Sequence, residues 1–365
     1  MVGVAPLISA VPGFSDPTWW IAAFAGGAFG AAIGALPAFI FTGFMVIAGE
    51  AAGALGLAPA DMNPDTAAVE TLNATAGATG GAASLPVADG VATTATGFTG
   101  VLGFGPVFGP HISFAAGAAA AAYAAKQGYI DDGKNILWAA GTNHIDVLMV
   151  GGVFGILGHL GTSTFRLIGI PTDNIALMVF VSALLHRVVF GYGVIGEITG
   201  SGMFDVSPWE RDEDEAPGIW LPWQYKWANV ALLGVIGGIL GAFAFQVTGS
   251  PLIGFGISAA SLVFLQAGTD NIPVTHHITL PGAVGALGAQ AAGYSPALVL
   301  IVGALFGAFG ATMGEVCNRV FYMHGKTHVD PPAFGIFMSG LLSAILTAAG
   351  VLGDTFWGGL GGLGL

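Results

Sequence analysis

PTDNIALMVFVSALLHRVVFGYGVIGE, residues 171–197, and HVDPPAFGIFMSGLLSAILTAAGVLGD, residues 328–354, align without a gap. Asp173 meets Asp330, Ala176 meets Ala333, Phe180 meets Phe337, Ser182 meets Ser339 and Leu184 meets Leu341. Gly193-Val194 then meets Gly350-Val351, and Gly196-Glu197 meets Gly353-Asp354. Moving outward, VGGVFGILG (150–158) matches VGALFGAFG (302–310), and GPHISF (109–114) resembles THHITL (275–280), pairing His111 with His277. Gly26-Gly27, Gly30 and Gly43-Phe44 match Gly237-Gly238, Gly241 and Gly254-Phe255, which sets Glu50 against Ser261. Four collinear matches in this order predict an internal duplication. The offset slides because the first copy carries a long loop and an insertion near 130–143.

The solvent for such a chain is lipid. Only 8 % of its 365 residues are charged, 54 % are hydrophobic and the mean hydropathy is +0.79. A soluble domain carries about 25 % charged residues. The 61 glycines follow no collagen period and sit inside apolar runs, where small residues let helices approach closely in a bilayer. With 21 acidic and 8 basic residues the net charge is −13, which argues against nucleic-acid partners and polybasic lipid contacts. A single cysteine, Cys317, excludes an internal disulfide and any cysteine-based zinc site. The N-terminus has no basic region of the kind that opens a cleavable signal peptide.

A spanning helix needs about 20 apolar residues. The segments that approach this are 19–36, 37–57, 98–125, 135–160 and 174–198, then 227–247, 251–268, 278–293, 296–317 and 331–353. The expected fold is an all-α polytopic membrane protein of about ten transmembrane helices, some broken or re-entrant. Residues 1–204 would form the first repeat, with an extracellular loop at 58–97 that holds the tripeptide Asn73-Ala74-Thr75. Residues 205–226 would be an acidic cytoplasmic linker, and 227–365 the second repeat. Ten spans put Lys126, Lys134, Arg211, Lys226, Arg319 and Lys326 on one side and Arg166 alone on the other. Cytoplasmic loops carry the excess of Lys and Arg, so both termini are expected outside the cytoplasm. Five spans per copy invert the second repeat, an architecture of many secondary transporters.

Four related motifs carry most of the polar chemistry: GTNHID (141–146), PTDNIA (171–176), GTDNIP (268–273) and KTHVDP (326–331). The second and fourth read as helix N-caps at membrane surfaces, their side-chain oxygens taking free N–H groups. The other two read as breaks inside spans, with His144 and Asp146 near the bilayer midplane, where an ionisable side chain faces a cavity or a partner. Pro273 and Pro281 would interrupt the corresponding helix of the second copy. The predicted substrate- or ion-binding residues are therefore Asn143, His144, Asp146, Asp270, Asn271, His276 and His277. His111 joins them as a histidine pair with His277 suited to proton relay, and Glu50 as an intramembrane acid.

Walker A, HExxH, GxSxG and dinucleotide fingerprints are absent, so the chain is not expected to be an enzyme. No cofactor is expected beyond a bound cation. The leading expectation is a transporter or channel for a small solute, a cation or a proton-coupled solute, assembled as a homo-oligomer in the lipid bilayer. Alternatives are a membrane-embedded metal- or lipid-dependent enzyme and a non-catalytic subunit of a membrane complex.

Overall fold

The structure, a computed structural model, describes residues 17–54, 85–86, 92–93, 98–137, 141, 143–212 and 218–359. Most of the 58–97 loop, including the tripeptide at 73–75, lies outside the described residues, as do both ends of the chain. Among the described residues the chain is all-helical, apart from a two-residue antiparallel pairing of Leu85–Pro86 with Ala92–Thr93.

Ten helices of nine or more residues are described, each overlapping one of the apolar segments. They are α1 (Pro17–Ile33), α2 (Ala35–Ala54), α3 (Ala115–Lys126), α4 (Ile145–Leu167) and α5 (Asn174–Val189), then α6 (Trp227–Thr248), α7 (Ile253–Ser261), α8 (His276–Ala291), α9 (Pro296–Cys317) and α10 (Pro331–Ala348). Among the described residues, five stretches are long and apolar enough to cross a membrane: Ala35–Ala52, Ile145–Leu167, Trp227–Thr248, Pro296–Tyr322 and Pro331–Ala348. On α6 the exposed face is Leu232, Ile236, Leu240, Phe243 and Val247. Water would not cover such a stripe; lipid would.

Two helices are buried on nearly every side. α3 is almost entirely alanine, and α8 is buried from His276 to Ala286. Helices without a polar face belong in an interior, and the others wrap around these two. Glycines set the distances. A methyl group on Gly27 of α1 would overlap the backbone of Gly151 and Gly155 on α4, and one on Gly238 of α6 would overlap Gly303 and Gly307 on α9. Gly30 meets the Ser113 backbone as Gly241 meets that of Thr279, and Gly158 covers the carbonyl of His111 as Gly310 covers that of His277. Residues aligned in the sequence therefore make matching contacts in α1–α5 and α6–α10.

The largest buried cluster joins these two sets through Phe39, Phe114, Phe180, Phe255, Leu280 and Phe337. α2 and α7 run antiparallel: Gly43 packs on Ala260, Val46 on Gly256, and Glu50 on Ser250. α5 crosses α10 where Phe180 and Phe337, partners in the alignment, stack with centroids 5.6 Å apart.

Several boundaries differ from the sequence reading. The segment expected to span from 135 begins its helix only at Ile145. The 98–125 segment is broken, with π-helical turns at Phe98–Gly103 and Pro110–Phe114 ahead of α3. Pro281 does not interrupt α8 but sits inside it. Lacking an N–H, it leaves the His277 carbonyl without its helical donor, and Gly310 packs against that oxygen.

Candidate functional site

The N-caps at the start of α5 and α10 are where the site begins. Asp173 Oδ1 accepts from the Ile175 and Ala176 amides at 2.9 Å each, and Asp330 Oδ2 accepts from the Ala333 amide at 2.9 Å. Thr172 donates to the Phe337 carbonyl, tying the start of α5 to the middle of α10. Between these two starts, and bounded by α2, α7 and α8, lies a cavity of about 330 Å3.

Its walls come in aligned pairs: Asp173 and Asp330, Ile175 and Pro332, Ala176 and Ala333, Val179 and Ile336, Phe114 and Leu280. One wall is a continuous run of rings. Phe104 packs on Phe255 at 5.5 Å and Phe255 on Phe39 at 5.8 Å; Phe39 meets Phe114 at 5.8 Å. Phe114 then meets His328 at 5.6 Å, and His328 meets Tyr322 at 5.4 Å. His328 Nε2 lies 3.3 Å from Asp330 Oδ1. The Nδ1 atoms of His276 and His328 are buried and have no hydrogen-bond partner among the described residues. Both side chains line the cavity.

Lining residues that stay at least partly exposed, among them Asp132, Lys134, Asn135, Trp220 and Trp223, mark the mouth. Lys134 Nζ donates to the carbonyls of Met323 at 3.3 Å and Gly218 at 3.4 Å, and stands 4.6 Å above the Tyr322 ring. Burial lowers its pKa to about 8, against the opposing pull of Asp132 and with the help of the Arg187 charge.

Arg187, fully buried on α5, holds the segment that brings Tyr322 and His328 to the wall. Its Nε donates to Thr327 Oγ1 at 2.9 Å, Nη1 to the Val194 and Phe321 carbonyls at 2.6 Å each, and Nη2 to the Thr327 carbonyl at 2.7 Å.

Of the residues singled out by sequence, only His276 lines this cavity. His277 lies behind it, its ring against Gly314 and 5.9 Å from Trp220. His111 is buried beside Gly158 and Gly109 in its own half. Glu50 is also buried, accepting from Ser250 at 2.6 Å and Thr99 at 3.0 Å. His144 is the N-cap residue of α4 and Asp146 lies in its first turn. There His144 stacks on Tyr129 at 3.8 Å, while Asp146 accepts from Tyr123 and Tyr129 at 3.1 Å each. Asn143 is exposed beside them, and Asp270 and Asn271 form an exposed turn with Asn271 at φ 61°. Among the described residues, no three His, Cys, Asp or Glu side chains gather as a metal site would require.

Sequence reasoning gives no site role to Asp132, Lys134 and Tyr322, and reads Asp173, His328 and Asp330 as parts of helix caps. The signal available was that caps repeated in register in two copies must face a common centre if the copies pack on each other.

Fold and site together define an all-helical protein with membrane-length apolar helices around a central cavity. The chain belongs to the DUF7973 family, described as a family of unknown function, which matches residues 10–360. No curated protein and no solved structure matches it.

Proposed function

We propose that this chain is a membrane transporter or channel that moves a small solute, a cation or a proton-coupled solute, through the cavity between α1–α5 and α6–α10. The observation that carries the reading is that aligned residues of both halves wall one cavity. Inverted repeats place their substrate at the repeat interface, next to the ends of discontinuous helices. The antiparallel run of α2 against α7 supports a two-fold axis perpendicular to the helices, and hence the inverted arrangement.

In this reading the ten helices cross or enter the bilayer with both termini outside. Lys126, Lys134, Arg211, Lys226, Arg319 and Lys326 then face the cytoplasm, as the positive-inside rule asks. The mouth carrying Lys134 opens to that side, so the conformation is inward-facing. The His328–Asp330 pair and His276 would supply polar contacts to the solute in the cavity.

The test is flux. Purified protein in liposomes with an imposed pH gradient is expected to carry protons or a monovalent cation, followed by an entrapped indicator dye. The double variant D173N/D330N keeps N-cap chemistry, since Asn caps as well as Asp, and is expected to lose most of the flux. Undiminished flux in this variant would reject the cavity as the path. Termini labelled on opposite faces of the membrane would reject the inverted topology.

A further inference from the structure

The aromatic wall of the cavity already holds one ammonium group. Lys134 reaches it from the loop between α3 and α4 and lies on the Tyr322 face between two backbone carbonyls. This is the chemistry of ammonium recognition: a ring face, oxygen acceptors and a nearby carboxylate, here Asp132.

We propose that the cavity binds an amphipathic organic cation, a primary ammonium carrying one apolar or aromatic tail, and that Lys134 is a tethered competitor for its head group. The inference rests on the transport reading only in making this amine the cargo.

Four features select this class. Charge comes first: the lining residues include three carboxylates, Asp132, Asp173 and Asp330, against the single ammonium of Lys134. The second is the state of the helix starts. N-termini attract anions, but those of α5 and α10 are capped by their own carboxylates. The walls are the third. An inorganic cation needs oxygen ligands in place of its water, whereas most of this surface is Phe, Leu, Ile and Val, which suits a hydrocarbon tail. The last is size. About 330 Å3 lies at the low end of ligand pockets, which run from roughly 300 to 1,000 Å3, so one ring with a short amine fits. The buried Nδ1 atoms of His276 and His328, without a hydrogen-bond partner among the described residues, are placed to serve the polar end of such a molecule.

The decisive experiment uses the full chain in lipid nanodiscs and three probes of one shape: 2-phenylethylammonium, 2-phenylethanol and phenylacetate. Binding is read by calorimetry and by the fluorescence of Trp220 and Trp223 at the mouth. The ammonium is expected to bind about tenfold or more tighter than either analogue. K134M removes the competitor and is expected to tighten ammonium binding roughly tenfold. D330N is expected to weaken it by a similar factor and to leave 2-phenylethanol unchanged. Phenylacetate or 2-phenylethanol binding as well as the ammonium would overturn the proposal, as would weaker ammonium binding in K134M. Proton or potassium flux without ammonium binding would sink this substrate class and spare the transport reading. Ammonium binding without flux of any solute would support this site and sink transport.

Discussion

Gly30 on α1 touches the backbone of Ser113, and Gly241 on α6 touches that of Thr279. The two positions are aligned in sequence, and so are their partners. Other aligned positions have parted company. Arg187 is fully buried on α5, and the residue aligned with it on α10 is Ala344, equally buried. Glu50 aligns with Ser261, and Pro171 with His328. Backbone contact leaves glycine no substitute at these positions, so Gly27 and Gly238, Gly30 and Gly241, and Gly158 and Gly310 keep matching contacts. Side chains that reach the cavity or its supports are free of that constraint, and there the halves differ. These glycine contacts match; the side chains around them do not.

The largest asymmetry should have the largest effect. Arg187→Ala would leave the carbonyls of Val194, Phe321 and Thr327 without their donor, at a cost on the order of 3–5 kcal/mol. Expected outcomes are a steep fall in thermal stability and faster amide exchange across 321–328. Arg187→Lys would recover only part, because an ammonium lacks the fork that reaches all four acceptors. A variant as stable as the wild type would remove the latch from this account.

Symmetric positions come next. Gly30→Ala and Gly241→Ala should each cost about 1–3 kcal/mol, because each methyl group overlaps backbone that must move apart. The prediction sharpens the comparison through the difference: the two costs should agree within about 1 kcal/mol. If one substitution is silent and its partner severe, the halves do not share a packing scheme.

Glu50 and Ser261 give a smaller contrast. Glu50→Gln keeps the shape and removes the charge from two hydrogen bonds, so a loss of roughly 1–2 kcal/mol is expected. Ser261 donates to the Ser258 carbonyl of its own helix, so Ser261→Ala should stay within about 0.5 kcal/mol. Urea or detergent-titrated unfolding of both variants checks the pair. Equal costs would mean that the α2–α7 contact does not depend on the carboxylate.

The helices were legible in the sequence, because apolar runs and glycine spacing report burial directly. So were the equivalent glycines: alignment alone paired Gly27 with Gly238 and Gly158 with Gly310, and each pair makes matching contacts. Cavity residues were not. Nor was the start of α4: the apolar segment opens at 135, yet residues 135–137 belong to a loop and the helix waits for Ile145. Hydropathy averages over a window and cannot see that boundary. Lys134 was hidden for the opposite reason: it lies in the insertion that breaks the alignment, so no partner pointed to it. Only the folded chain returns that insertion over the Tyr322 ring.

That insertion also provides the finest test of the asymmetry, because Lys134 titrates. Its folded pKa is lowered from 10.5 to about 8, first by burial and then by the Arg187 charge, with Asp132 acting against both. Between these two values the folded state binds fewer protons than the unfolded one, so deprotonation favours the fold as the pH rises. Below pH 8 the ammonium is charged and occupies the Tyr322 face; above it, the neutral amine no longer repels a bound cation. An alkylammonium probe stays largely protonated up to roughly pH 9. Binding of 2-phenylethylammonium should therefore tighten about two- to fivefold between roughly pH 7 and 9, from about 0.5–1 kcal/mol of relieved repulsion at a wet mouth. In K134M the same titration should be flat. A slope that survives in K134M would assign the pH response to the other titratable groups around the cavity, Asp132, Asp173, Asp330, His276, His328 and Tyr322, and would return the insertion to a purely structural role.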